Sequence, residues 1–266
     1  MHDTRGALPP DPGQARHDEV ESLAAQVLSA LAQRSGQSGH AIDEAMLNRF
    51  CSDILKGDKS LRTDAVAELQ RKGVGVSAIL DGYIPAAARE LGERWCRDEL
   101  SFADVTIGSA RLQAIMRELS APWVTDAMTP ADAPNVMLIV PLEEFHTLGG
   151  MTATSQLRRM GISVCLCLGQ TEDEILEKVA ARRFDMIAIS VSCRHKLDSA
   201  RRLVGQIRAA CGEGVPIVIG GRVVEGTEDV CALTGADHAT VDPREALKLC
   251  GVRAPVPAPN DRLARI

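Results

Sequence analysis

Aromatic residues are scarce in this chain. They make up 3% of its 266 residues, as two Trp, one Tyr and four Phe. The core must therefore be built from aliphatic side chains, and each aromatic is worth placing. Long apolar runs are also lacking. No stretch approaches the roughly 18 apolar residues of a membrane helix, and the Pro- and charge-rich start has no signal-peptide apolar core. A cytoplasmic protein with no membrane association is expected. Positive charge is not in excess either. A net charge of −6 argues against direct sequence-specific nucleic-acid binding by this chain alone. The eight cysteines (Cys51, Cys96, Cys165, Cys167, Cys193, Cys211, Cys231 and Cys250) form no Cys-x-x-Cys pair and no Cys/His group with zinc spacing. They read as small buried hydrophobes in a reducing compartment.

What is present divides the chain. Residues 1–40, rich in Pro, Gly, Gln, Asp and Arg, read as a mostly disordered tail with one short helical stretch, Val20 to Leu31. Residues 41–125 are helical in pattern. Apolar residues recur at helical spacing from Ile42 to Phe50, and further helices are predicted near 60–72, 76–93 and 101–119, punctuated at Gly73, Gly75 and Asp81-Gly82. This predicts a small all-α bundle. Residues 126–134, with Pro130 and Pro134, read as a linker. From 135 to 252, apolar β-type runs at 135–141, 162–168, 185–191, 216–220 and 238–241 alternate with helical patterns. The helical patterns fall at about 148–160, 171–182, 196–211, 224–234 and 243–250. Such alternation predicts a flavodoxin-like, doubly wound parallel sheet, so the fold class is α/β with an all-α helical cap before it. Residues 253–266 read as a Pro-rich tail.

The chemistry concentrates at Glu144-Phe-His146-Thr-Leu-Gly149, just after the apolar run Val136 to Val140. The crevice at the carboxyl ends of a parallel sheet is where such sheets bind ligands. A carboxylate two residues before a His can hold one ring nitrogen and make the other a better metal donor. Gly149 and Gly150 would let a large flat ligand approach the backbone. Glu143 is expected to point the other way.

The stretch resembles the Asp-x-His-x-x-Gly signature of cobalamin-binding domains that hold the cofactor base-off, with His as the lower axial ligand. Ser190-Val191-Ser192 follows where that family has Ser-x-Leu, and Gly220-Gly221 where it has Gly-Gly. The spacings are 44 residues from His146 to Ser190 and 30 from Ser190 to Gly220. The resemblance implies His146 as cobalt ligand, Ser190 on the displaced benzimidazole tail, Ser192 altering the tail pocket, and Gly220 and Gly221 making room for that tail. Upstream, Leu91-Gly92-Glu93-Arg94-Trp95 resembles the Leu-Gly-x-x-Trp segment of the helical cap in methionine synthases, corrinoid methyl carriers and light-sensing cobalamin regulators. It implies that Trp95 covers the upper cobalt face. There are departures. Glu144 replaces Asp. Val105 and Thr106 replace a Glu-His pair that handles adenosyl groups in some members. Cys96 stands where some light sensors have His, and could reach a metal only as a thiolate of lowered pKa. Cys193 and His195 form a minor alternative ligand source, and His238 and His40 have no evident partner.

The layout is similar to the AerR/PpaA-type antirepressors of photosynthesis genes. This implies a cobalamin-binding, light-responsive regulator of transcription that takes hydroxo-, methyl- or adenosylcobalamin and acts through a DNA-binding repressor of the CrtJ/PpsR type. No residue set for acid–base catalysis is evident, so no enzyme is expected. Two alternatives share the scaffold: a corrinoid methyl carrier, and a haem-binding redox sensor, since His146 can ligate iron as well as cobalt.

Overall fold

The computed structural model describes residues 42–56, 59–123, 133–211 and 214–255. The tail expected at 1–40, most of the linker and residues from 256 onward lie outside the described residues.

The helical part opens with α1 (Glu44–Leu55), whose N-cap Asp43 accepts a hydrogen bond from the Met46 backbone. α2 (Lys59–Arg71) follows. Next come a short helix α3 (Val76–Ala78), a π-helical turn (Ile79–Tyr83) and α4 (Ile84–Cys96). Asp81-Gly82 does not punctuate this region as the sequence suggests. The helix runs through it, widened by one residue per turn and not broken. α5 (Phe102–Ser120) starts on a capping box. Ser101 accepts from the Asp104 backbone, and Asp104 accepts from the Ser101 backbone. Arg111 on α5 donates to the last carbonyls of α1, Ile54 and Leu55. The bundle core is aliphatic in the main: Phe50, Ile54, Leu80, Ile84, Leu91, Leu112 and Met116 are all essentially inaccessible.

The second part is a five-stranded parallel sheet of order β2-β1-β3-β4-β5. Its strands are β1 (Asn135–Val140), β2 (Ser163–Leu168), β3 (Met186–Ser190), β4 (Ile217–Gly220) and β5 (His238–Ala239). This is the flavodoxin-like order, with its switch point between β1 and β3. Its helices are α6 (Thr147–Arg159), α7 (Glu172–Ala181), α8 (Leu197–Cys211), α9 (Val223–Gly226), α10 (Val230–Thr234) and α11 (Pro243–Leu249). Val136 to Val140 are all buried, because a central parallel strand meets helices on both faces. Met137 and Ile139 pack with α7 and α8; Val136, Leu138 and Val140 pack with α6 and α11. The single helix expected at 224–234 is two short ones, parted where Asp229 adopts a left-handed φ of 58°.

The two parts share α6. Its Met151 is buried within the bundle core and Leu148 packs against it, while Leu157 of the same helix lies in the core beneath the sheet. Polar contacts cross the same seam. Arg159 donates to Asp81 of the π-helical turn at 2.5 Å, Ser120 and Ser155 are 3.1 Å apart, and Gln113 donates to Thr147 at 3.0 Å.

Candidate functional site

β1 ends at Val140, and a turn closed by the Glu144 backbone donating to the Pro141 carbonyl brings the chain to His146, the N-cap of α6. The Glu144 side chain is 1% exposed and that of His146 is 60% exposed. Glu144 Oε1 accepts from the His146 backbone at 3.1 Å and lies 3.0 Å from His146 Nδ1. Its Oε2 accepts from the Ser192 backbone at 3.0 Å, and Lys196 Nζ stands 3.4 Å from Oε1. Burial alone would raise the Glu144 carboxyl. The hydrogen bonds from His146 and Ser192, with the Lys196 charge, outweigh it and hold the group down at about 2. An ionised carboxylate only accepts, so Nδ1 is the ring nitrogen that donates, and Nε2, turned away from Glu144, is the one left to face a ligand.

The expected residues gather at one edge of the sheet. Ser190 pairs in register with Gly220, and the Val191 backbone donates to Gly220. Strand alternation puts the Ser190 side chain on the face of Met186 and Ala188, toward α6 and α11. Gly221 has φ +90°, and a Cβ there would meet the Val191 carbonyl at 2.4 Å. Its first duty is thus to let two chain segments touch. The family resemblance gives the Ser192 side chain a role in a tail pocket. What the structure shows is its backbone N–H on Glu144, with its hydroxyl donating to Cys193 Sγ. Gly149 and Gly150 differ. A Cβ on Gly149 meets nothing within 4 Å, whereas one on Gly150 would meet Val140 Cγ2 at 2.4 Å. Gly149 leaves the surface open; Gly150 lets α6 lie close on β1.

The cap packs against α6, the helix that this loop begins. Trp95 is half-buried and stands outside the bundle core, edge-on to Phe102 at 6.2 Å between centroids. A Trp buried between helices is therefore not what the structure shows. Phe102 is 71% exposed and Thr106 is exposed. Phe102, Thr106 and Gln113 recur on one stripe of α5, whose far end touches Thr147, the neighbour of His146. Eleven residues of helix carry that stripe about 16 Å from the contact. The cap thus touches the site loop through Gln113 and Thr147. The cap carries Trp95 and Phe102, and the sheet edge carries His146 with Phe145 (86% exposed) and Leu142 (58% exposed). Cys96 is exposed, and desolvation with the charges of Asp98 and Glu93 pushes its thiol up, opposite to what a thiolate ligand needs.

Among the described residues no three His, Cys, Asp or Glu side chains cluster as a bare metal ion would require. Cys193 Sγ and His195 Nε2, 3.4 Å apart, are two donors only. One outward imidazole on a loop that also exposes Phe145 and Leu142 instead fits a metal already enclosed by a flat macrocycle, which asks the protein for an axial donor.

A family model described as "B12 binding domain" matches residues 134–249, and a second of the same description matches residues 46–120. The chain is also 33% identical over 175 residues to a Rhodobacter capsulatus protein described as "Uncharacterized 20.5 kDa protein in bchF-crtJ intergenic region", across 66% of this chain and 91% of that one. This chain belongs to the B12-binding family. Its fold is shared with the monomethylamine corrinoid protein of Methanosarcina barkeri, which is 14% identical, with a TM-score of 0.62 over 79% of this chain and 99% of that one. In this B12-binding protein the exposed imidazole of His146, held at Nδ1 by Glu144, stands at the carboxyl edge of the parallel sheet. Sequence reasoning missed Phe102, Gln113, Gly150 as a packing residue, and Lys196. The scarcity of aromatics could have singled out Phe102, seven residues after Trp95. The other three carry no local signal. Among the described residues no helix is long and apolar enough to cross a membrane.

Proposed function

We propose that this B12-binding protein is a light-responsive regulator of transcription, not an enzyme, and that it acts on photosynthesis genes by engaging a DNA-binding repressor of the CrtJ/PpsR type. The observation that carries this reading is an exposed His146, oriented by Glu144, whose neighbour Thr147 is touched by the cap through Gln113. Trp95 and Phe102 belong to that cap, which would carry a change at the cofactor to a partner. The relative's printed location beside crtJ supports the choice of partner.

When bound, an alkylcobalamin supplies a cobalt–carbon bond that light can break. The protein does the rest. Glu144 holds His146 through Nδ1, and Nε2 would be the atom that holds the cobalt. Trp95, half-buried, and the exposed ring of Phe102 would be the cap surfaces that meet the cofactor's other group. Val105 and Thr106 offer no charged or imidazole group on that side. The Gln113–Thr147 contact couples the cap position to the residue next to His146. A ligand would shift the cap only by the difference in its affinity for two cap positions.

The test is an absorbance titration with hydroxo-, methyl- and adenosylcobalamin and with hemin, in the dark and under illumination, for wild type and His146→Ala. A purified CrtJ/PpsR-type repressor is then captured on each loaded form. The expected outcome is a His-on cobalamin spectrum lost in His146→Ala, light-dependent uptake, and capture that follows illumination. Light-independent uptake of methylcobalamin without repressor capture would replace the regulator by a methyl carrier. A Soret shift with hemin alone would replace cobalamin by haem.

A further inference from the structure

Glu144 is held by more than its His. Lys196 lies on a 3-10 turn after β3, 50 residues along the chain from His146, and its side chain is 20% exposed. Its Nζ donates to the Glu143 carbonyl at 2.8 Å, stands 3.4 Å from Glu144 Oε1 and sits 5.7 Å from the centroid of the Phe145 ring. The carboxylate oxygen that faces His146 Nδ1 is thus the one that also faces an ammonium.

We propose that Lys196 is a positioning residue that sets how strongly His146 donates to a metal, through the shared Oε1 of Glu144. This rests on His146 being the axial ligand, as proposed above. A carboxylate that accepts a ring N–H pulls electron density into the imidazole and strengthens Nε2 as a donor. Each further donor on the same oxygen withdraws part of that pull. An ammonium does so most, because it is charged and, at this burial, poorly screened. The sequence departs from the family signature with Glu144 in place of Asp, and one oxygen of that glutamate lies 3.0 Å from His146 Nδ1 and 3.4 Å from Lys196 Nζ. The outcome is a ligand of moderated strength, suited to a site where the axial bond must respond to the upper ligand and not dominate it.

The test compares wild type, Lys196→Met and Lys196→Arg by two measurements. The first is proton and nitrogen NMR of the His146 ring in cobalamin-free protein. In Lys196→Met the Nδ1–H resonance moves downfield and exchanges more slowly with water, and Lys196→Arg restores the wild-type values. The second is the cobalt(II)/cobalt(I) potential of the loaded protein. It becomes more negative in Lys196→Met, by about 59 mV for each tenfold gain in the preference of His146 for cobalt(II). A purely structural Lys196, one that only clamps the Glu143 carbonyl, predicts the opposite sign: a looser loop, an upfield or vanished Nδ1–H, and a potential unchanged or raised. That result overturns the proposal, as does a Lys196→Arg variant that behaves like Met. A wild type that takes up no cobalamin overturns the ligand role of His146 and with it the metal part of the proposal. The cobalamin-free NMR comparison separates that failure from failure of the Lys196 effect.

Discussion

Two adjacent glycines should respond oppositely to the same methyl group. In Gly149→Ala the new Cβ meets nothing within 4 Å. The only local effect is the lower conformational entropy of alanine in the unfolded chain and its better fit to a helix, a gain of about 0.5–1 kcal/mol. In Gly150→Ala the Cβ lands 2.4 Å from Val140 Cγ2 and 3.4 Å from Leu138 Cδ2. Ordinary contact needs about an ångström more, so α6 must lift off β1. Overpacking of this kind costs about 1–3 kcal/mol, more than the helix term returns. Urea unfolding should give a raised midpoint for Gly149→Ala and a lowered one for Gly150→Ala. Titration with hydroxocobalamin then separates fold from site. Gly149→Ala, the more stable protein, should bind at least about tenfold more weakly, or about 1.4 kcal/mol, because its methyl stands where a flat ring would approach the backbone. Undiminished binding by Gly149→Ala would show that no ligand comes close there. A stabilised Gly150→Ala would show that α6 does not lie on the sheet as described.

Other outcomes follow from the same geometry. The Glu144 carboxyl is depressed from its ordinary 4.5 to about 2, so its contribution is complete above about pH 4.5 and is lost as pH falls through 2. Glu144→Gln should therefore be less stable at pH 7 by something on the order of 3 kcal/mol, with the gap to wild type closing across that interval in urea titrations. Trp95→Ala should leave the urea midpoint nearly unchanged, since Trp95 stands outside the bundle core. It should also leave hydroxocobalamin binding intact while changing alkylcobalamin affinity or photolysis rate; equal loss of both would make Trp95 structural. Alkylation followed by mass spectrometry should find exposed Cys96 modified in the native protein. Cys51, inaccessible and pushed up to about 12 by burial and the Glu90 charge, should react only on unfolding.

The sheet was legible because its strands are buried on both faces. A run such as Val136 to Val140 suits a strand covered from both sides and little else, and the helices between the strands announce themselves by periodicity. The Glu144–His146 pair was legible because two residues on one loop must be neighbours. Lys196 was not, since nothing in its local sequence tells which of the many charges on α8 or its approach will fold back onto a carboxylate 52 residues earlier. The division of labour between Gly149 and Gly150 was equally hidden. Both look like helix-start glycines, and only the distance from α6 to Val140 separates them. The helix over 224–234 failed for a local reason: a left-handed Asp229 is a turn that apolar periodicity does not register.

Helix α6 belongs to two cores at once, and this makes the chain hard to cut. Sequence composition places the seam between the bundle and the sheet in the Pro-rich stretch before β1, yet the bundle borrows Met151 and Leu148 from beyond that seam. A bundle expressed alone would lack the lid of its own interior, and a sheet domain expressed alone would carry those side chains bare. At roughly 2 kcal/mol for each large apolar side chain returned to water, both fragments should be sticky and short-lived. Mixed together, they should find each other and rebuild the shared core without a covalent link. Two genes could then in principle do the work of one, provided they are made in the same place and at the same time.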